Sequence, residues 1–364
     1  MPITTTTDIS APVNVVLQAE MLRQAKANCP YFVGSEPAEI AEHSGTFTAK
    51  WRRYENLTPT TTPLTELTGA VSFPTRVGST PTITDVTATV QKYGDFIVLN
   101  EEVELINVTQ QSEQISKILG IQAGRSLNRL QRNELEDNLT AFLLGGATTA
   151  TNISGGSTAS ANIKQSDIQA AVNALDRNDA MRFRALTEGS RNIGTAPVRE
   201  AYIGLTHADA EQDIRMITGF QGVETYASQT DTYPNEFGTV GGIRYISTTE
   251  ATAEGIGTAG TGSATVHGRA ATSGRTDVYN TVVLGQYCHG SLGLGFRHIK
   301  EVYKAGDKLP GVQMISKAKG SAGAGDPLNE ISTVGWKTWH APKVLNGNWG
   351  RVIRHTVDRL TTNE

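Results

Sequence analysis

Three patterns in this 364-residue chain predict an α+β fold. Two short runs alternate apolar and polar residues on either side of a long Thr/Pro-rich connection, which is the pattern of a two-stranded hairpin. A long proline-free stretch then carries apolar residues at three- and four-residue steps, the spacing of a helix with one buried stripe. The remainder alternates short strand-like runs with Gly-rich connections, and shows no internal repeat of the length that solenoids or propellers use.

Residues 1–45 read as an arm. A polar Thr run leads into an amphipathic stretch, Val13 to Ala27, in which Val16, Leu17, Ala19, Met21 and Leu22 fall near helical spacing. Cys29-Pro30, Gly34 and Pro37 then punctuate the chain. One such helix cannot bury its apolar face alone, so it calls for a partner elsewhere in the chain or in another copy.

In the next segment Phe47, Ala49 and Trp51 alternate with Thr46, Thr48 and Lys50, and Val86, Ala88 and Val90 with Thr87, Thr89 and Gln91. Between these strands runs Thr58-Pro59-Thr60-Thr61-Thr62-Pro63-Leu64-Thr65-Glu66-Leu67-Thr68-Gly69, continuing to Pro74 and Pro81. Proline fixes φ and restricts the residue before it, so this connection favours extended backbone. The reading is a long, projecting hairpin, which is marginal in water unless something outside it packs against it.

From Thr109 to Leu144 the residues Ile115, Leu119, Ala123, Leu127, Leu130, Leu139 and Phe142 recur at helical steps, with one break of phase near Arg132 to Leu135 and Gly145-Gly146 as a stop. Unbroken, that helix would span roughly 54 Å at ~1.5 Å per residue. Gly120 and Gly124 each cost about 1 kcal/mol relative to Ala, which marks a break or a close approach there.

Residues 147–162 read as a loop, and Ser166 opens a helix through Ile168, Ala171, Val172 and Leu175 to Asn178. Pro197 to Leu205 reads as a buried strand, His207 to Ile217 as a helix, and Ile243–Ser247 and Val278–Leu284 as short strands. The Gly/Ala/Thr-rich segment between the last two, Thr252 to Gly274, reads as a surface loop. Phe296 to Val357 is strand-rich and holds Trp336, Trp339 and Trp349.

Composition narrows the function. Hydrophobic residues are 38% and charged residues 19%, both low for a compact enzyme, and Gly (37) and Thr fill the gap. The mean hydropathy of −0.28 and the lack of any long apolar run predict a soluble, intracellular chain without a secretory signal or membrane span. Cys29 and Cys288 alone cannot build a disulfide framework or a Cys-rich zinc site. A net charge of −4 argues against a surface devoted to gripping nucleic acid.

No constellation for chemistry emerges. There is no Gly-Lys-Ser/Thr phosphate loop and no Gly-x-Ser-x-Gly elbow, and the Gly290, Gly293, Gly295 spacing is wrong for a dinucleotide loop. His207, Asp209, Glu211 and Asp213 lack a second histidine at helical spacing, so they read as the acidic first turn of a helix capped by Thr206. Cys288, beside His289, reads as a small buried hydrophobe, and Glu101, Glu102 and Glu104 as a solvated or intersubunit face. No catalytic, cofactor-binding or metal-binding residue is predicted. Lys50, Arg52 and Arg53 cluster on the first hairpin strand, and further Lys and Arg enrich the C-terminal third. Few aromatic residues interleave with the hairpin basics, which favours acidic patches of a neighbouring copy over nucleic acid as their partner.

The order of arm, hairpin, long helix, Gly-rich mixed region and returning strands resembles the major capsid proteins of tailed bacteriophages, with the Hong-Kong-97-type fold. Thr62-Pro63-Leu64-Thr65-Glu66 followed by Asp85-Val86-Thr87-Ala88-Thr89-Val90-Gln91-Lys92-Tyr93-Gly94-Asp95 is similar to the hairpin of the N-four-like podophage family. Leu67 stands where that family carries Gly. Ala201-Tyr202-Ile203 with His207 and Asp213-Ile214, and Asp326-Pro327-Leu328 with Val334-Gly335-Trp336-Lys337-Thr338, extend the resemblance.

The resemblance implies five regions: an N-terminal arm (1–45), an extended hairpin or E-loop (46–98), a peripheral domain with a spine helix (99–149), an axial domain (150–290), and strands returning to the peripheral domain (291–364). It implies a non-enzymatic virion protein, assembled in the host cytoplasm, whose copies form the hexamers and pentamers of an icosahedral shell. That shell would enclose double-stranded DNA without sequence-specific binding and without a membrane. Portal and scaffold proteins, and a cement or decoration protein, are the implied further partners, and no cofactor is implied. Trp51, Arg52, Arg53, Tyr54, Leu64 and Glu66 are the expected intersubunit contacts. Residues 57–82 contain no Lys, so no covalent hairpin crosslink is expected. An encapsulin-type nanocompartment shell and a phage tail-tube component are the alternative functions.

Overall fold

The two alternating runs do pair. In the computed structural model, which describes residues 29–40, 44–61, 80–102, 111–155, 161–183, 200–226, 232–259, 275–294, 312–321 and 327–357, they form an isolated two-stranded ladder. The strands are, in chain order, β1 (Glu36–Ile40), β2 (Thr48–Tyr54), β3 (Ile83–Thr89), β4 (Gln91–Asn100), β5 (Thr140–Leu143), β6 (Ser154–Gly155), β7 (Tyr202–His207) and β8 (Gln221–Gly222). They continue as β9 (Glu236–Val240), β10 (Ile243–Thr248), β11 (Ala253–Ala259), β12 (Arg275–Leu284), β13 (His289–Leu294), β14 (Val312–Lys317), β15 (Ile331–Val344) and β16 (Gly350–His355). The helices are α1 (Gln111–Asn138), α2 (Gln165–Asp176) and α3 (Glu211–Arg215).

Beside the hairpin stand two larger sheets. In the five-stranded sheet, β15 is the axis: β4 lies antiparallel along one edge, β14 and then β13 along the other, and β1 runs parallel to β13. The nine-stranded sheet has the order β5-β16-β12-β7-β10-β9-β8, with β11 beside β12 and β6 beside β11. Its central strands alternate between two cores. Tyr202, Ile243, Tyr245, Val283 and Ile353 meet Ile168, Ala171, Val172 and Leu175 of α2 on one side. Ile203, Leu205, Ile246, Val282, Leu284 and Val352 meet Leu135 and Leu139 at the end of α1 on the other. Burial on both faces explains why such strands read as continuous apolar runs rather than alternating ones.

Helix α1 joins the sheets. Its first half packs Leu119, Ala123 and Leu127 against Val334 and Trp336 of β15 and Val312 of β14. Its last turns belong to the core of the nine-stranded sheet. Near its end the buried Glu136 carboxylate accepts from Thr252 Oγ1 at 2.7 Å and Asn280 Nδ2 at 2.9 Å, tying the helix to β12 and the segment before β11. At the glycine pair the approach is close rather than broken: Cys29 Sγ donates to the Gly124 carbonyl at 3.3 Å. Tyr31 and Phe32, just beyond, enter the two cores that α1 separates.

The structure corrects three of the expectations drawn from sequence. The long helix does not run to Leu144. Its 28 residues (about 42 Å) end at Asn138, and Thr140–Leu143 pairs parallel to β16 instead, because a distant strand offers those carbonyls and amides a ladder. His207–Ile217 is not one helix. β7 runs through His207, whose side chain, not that of Thr206, accepts from the Asp209 amide at 3.0 Å to cap a short turn leading into α3. Thr206 Oγ1 is engaged with Thr281 Oγ1 at 2.9 Å. The segment beginning at Thr252 opens with a strand, β11, paired to β12, rather than with a loop. β16 inserts between β5 and β12, where Val352 and Ile353 fill both cores. The stretch Val13–Ala27 and Glu104 lie outside the described residues.

Candidate assembly surfaces

The hairpin register puts Ala49 opposite Ala88, Trp51 opposite Val86 and Arg53 opposite Thr84 on one face, with Thr48, Lys50, Arg52 and Tyr54 opposite Thr89, Thr87, Asp85 and Ile83 on the other. The first face folds back on its own chain. Trp51, Ala49 and Ala88 join Leu292 of β13 and Ala341 and Trp339 of β15, and Phe47 stacks on Trp339 at 5.9 Å. Gly290 makes room for this: a Cβ there would lie 3.3 Å from the Trp51 ring and 3.0 Å from the Glu36 carbonyl. A packing role thus accounts for a glycine whose spacing had ruled out a nucleotide loop.

The opposite face carries the charge. Asp85 pairs with Arg52 at 3.0 Å and Lys50 at 3.2 Å, and the hydrogen bond from Arg52, with that from Lys50, holds its carboxyl below the usual range. Arg53 pairs with Glu55 at 2.7 Å and donates from Nη1 to the Leu345 carbonyl at 3.0 Å, fastening the hairpin to the end of β15. Of the predicted contact residues, Trp51 and Arg53 therefore face their own sheet and Arg52 its own hairpin. Tyr54 is 64% exposed opposite an exposed Ile83. Leu64 and Glu66 lie outside the described residues.

A second apolar surface escaped the sequence reading. The register of β4 on β15 places Phe96, Val98, Ile331 and Gly335 on the sheet face away from α1. Phe96 is 66% and Val98 51% exposed, and Ile331 and the nearby Leu328 are exposed too. Gly335 has no side chain to lift Phe96 off the sheet: a Cβ would sit 2.7 Å from that of Phe96. Trp339 and Ala341 share this face through the alternation of β15, so the hairpin base covers one end of it and leaves the other open. The signal was the run Phe96-Ile97-Val98-Leu99, apolar on both faces, which reads equally well as a fully buried strand.

The groups singled out for their chemistry are occupied structurally. His207 Nδ1 stands 3.4 Å from Asp209 Oδ2, which also accepts from Tyr279 at 3.0 Å. Cys288 is fully buried, and burial pushes its thiol up to about 12. Among the described residues no group of three His, Cys, Asp or Glu could hold a metal ion, and no helix is long and apolar enough to cross a membrane.

Two ion clusters are structural as well. Buried Arg244 bonds Glu236 at 2.6 Å beside Tyr226 and Tyr233. On α1, Arg125 and Arg129 grip the two oxygens of Glu250 at 2.6 and 2.7 Å, and Arg132 donates to its backbone carbonyl. Burial pulls the Glu250 carboxyl up, but the bonds from Arg129 and Arg125 outweigh it and hold it below its usual range.

No protein-family model and no curated protein matches the sequence. Solved structures do. The capsid of Ralstonia phage GP4 superposes with a TM-score of 0.56 at 11% identity, over 92% of this chain and 93% of that one. The head structure of Helicobacter pylori bacteriophage KHP40 gives 0.52 at 10% identity, over 91% of each chain. The capsid of cyanophage P-SCSP1u gives 0.51 at 13% identity, over 89% of this chain and 87% of that one. The chain has the mixed α/β, Hong-Kong-97-type capsid fold, with α1 in the place of the spine helix.

Proposed function

We propose that this chain is the major capsid protein of a tailed bacteriophage, a structural rather than catalytic protein, and a member of the N-four-like group. Copies close as hexamers and pentamers into an icosahedral shell around packaged double-stranded DNA, with a portal, a scaffold and a cement or decoration protein as further partners in the virion. The observation that carries this reading is a capsid fold shared from end to end, covering about nine-tenths of both chains rather than one module. The open face of the five-stranded sheet supports it. Phe96, Val98 and Ile331 form an apolar surface without a cover among the described residues, and the hairpin presents Tyr54, Leu57 and Ile83, also exposed. In this reading the hairpin of one copy lies on the outer face of the next, and each monomer remains incomplete until it assembles.

Negative-stain electron microscopy and light scattering on the expressed chain test this. Rings or closed shells support the reading. A monodisperse monomer that persists at high concentration, with a protease-resistant hairpin, overturns it. On a denaturing gel the shells are expected to run as single chains, without a ladder of bonded multimers.

A further inference from the structure

Helix α1 carries an exposed apolar strip. Ile118 is 59% and Ile121 37% exposed, and the helical period sets both on the side away from the core residues Leu119, Ala123 and Leu127. Two hydrogen bonds fix where the arm reaches this helix. Cys29 Sγ donates to the Gly124 carbonyl at 3.3 Å, and the Tyr31 amide donates to Asn128 Oδ1 at 3.0 Å. As the chain advances from residue 29 to residue 31, its partners advance from 124 to 128, so it runs in the same direction as α1. Traced backwards, the chain before Cys29 heads for the N-terminal half of the helix. There Gly120 follows Gly124 at a four-residue step, with Ile121 and Ile118 beside it. Pro30 already lines one cleft with Ile121. The two glycines, lacking Cβ atoms, let a second backbone come close. The sequence of the arm supplies a matching face, since Val13, Leu17, Met21 and Ala25 recur every four residues. The lengths agree as well: a helix over 13–27 spans roughly 20 Å, and so does α1 from Gly124 back to Gln111.

We propose that the N-terminal half of α1 is the docking site for the arm of its own chain. Residues 13–27 lie along it as a parallel helix, with Met21 and Ala25 over Ile118 and Ile121. A single amphipathic helix of this length is marginal in water, and the exposed isoleucines give its apolar face the partner it lacks. The inference does not rest on the capsid reading.

Trypsin tests this on the full chain, because Arg23 and Lys26 are the arm's own cleavage sites and both fall within the docked segment. Cleavage there should be slower than in a synthetic peptide of residues 1–28 by about tenfold or more, since the protease reaches only the undocked population. Ile118→Ser with Ile121→Ser, changed at exposed positions, should return both sites to the rate of the peptide. Leu17→Ser with Met21→Ser should do the same from the arm side, and decides alone should the α1 variant fail to fold. Wild-type protein cut as fast as the peptide overturns the proposal, as does a folded variant in which the protection persists. Oxidation of Met21→Cys with Ile118→Cys, with the bridged peptides identified by mass, separates the chain's own arm from a neighbour's. A bridge within a chain that still runs as a monomer supports docking on the same chain, and a bridge between two chains, seen as a dimer band, overturns it.

Discussion

Among the described residues the nine-stranded sheet is covered on both faces by its own chain, whereas the five-stranded sheet is fully covered only on the face toward α1. Helix α2 and the end of α1 sandwich the nine-stranded sheet. On the outer face of the five-stranded sheet the described residues supply only the hairpin base as cover, over Trp339 and Ala341, and Phe96 and Val98 are exposed. Among the described residues one sheet thus has its own cover on both faces, and in the proposed shell the other meets a second chain. This division separates stability from assembly, and substitutions should sort accordingly.

The largest loss is expected inside the sheet covered on both faces. Arg244→Met strands the buried Glu236 carboxylate without its cation, and chemical denaturation should show a loss of about 3–5 kcal/mol. An unchanged midpoint would break the contrast at its strongest point.

Acid should act on both sheets. Burial pushes His355 in β16 and His340 in β15 down to about 4 from an ordinary value of 6.5. The unfolded chain takes up these protons first, so stability is full above about pH 6.5, falls as pH drops toward 4, and levels off below that. Each ring contributes up to about 3 kcal/mol to the fall. Replacing either His with Gln and repeating the pH series should flatten the slope between pH 4 and 6.5, and an unaltered slope would remove that ring from the account.

On the hairpin, Asp85→Asn removes the partner of Arg52 and Lys50 where all three are solvated. Thermal melts should shift only slightly, and less in high salt. The smallest effect on the isolated chain belongs to Phe96→Ser with Val98→Ser, expected to be about 0.5 kcal/mol or less because the side chains are already in water. The same pair should abolish shells under the electron microscope. A large loss of monomer stability with assembly intact would reverse the division between the two sheets.

These contrasts also show what the sequence could disclose. The hairpin strands were legible because one face is apolar and the other polar, so Ala49/Trp51 and Val86/Ala88 announce both the strands and the side they bury. The buried stripe of α1 was legible for the same reason at helical period. Its end was not, since Thr140–Leu143 stays apolar and in phase, and only the partner strand β16, more than two hundred residues away, decides for a ladder. Likewise, no local pattern tells Phe96 and Val98 from strand residues buried on both faces. Exposure there depends on the absence of a covering element, and absence leaves no mark in the run itself. The cap at His207 was misassigned to Thr206 because a buried Thr281 hydroxyl, far along the chain, competes for that side chain.

Strands β3 and β4 are separated by Val90 alone, so the hairpin and the five-stranded sheet share one nearly continuous backbone. A pull on the hairpin therefore enters β4 along its own axis. β4 is held to β15 by a register of ten residue pairs, from Gln91 opposite His340 to Asn100 opposite Ile331. Loaded lengthwise, that ladder resists in shear, with its hydrogen bonds sharing the force instead of opening one after another like a zipper. A tug delivered at the hairpin is thus shared along the ladder and passed through β15 to α1, which packs behind it.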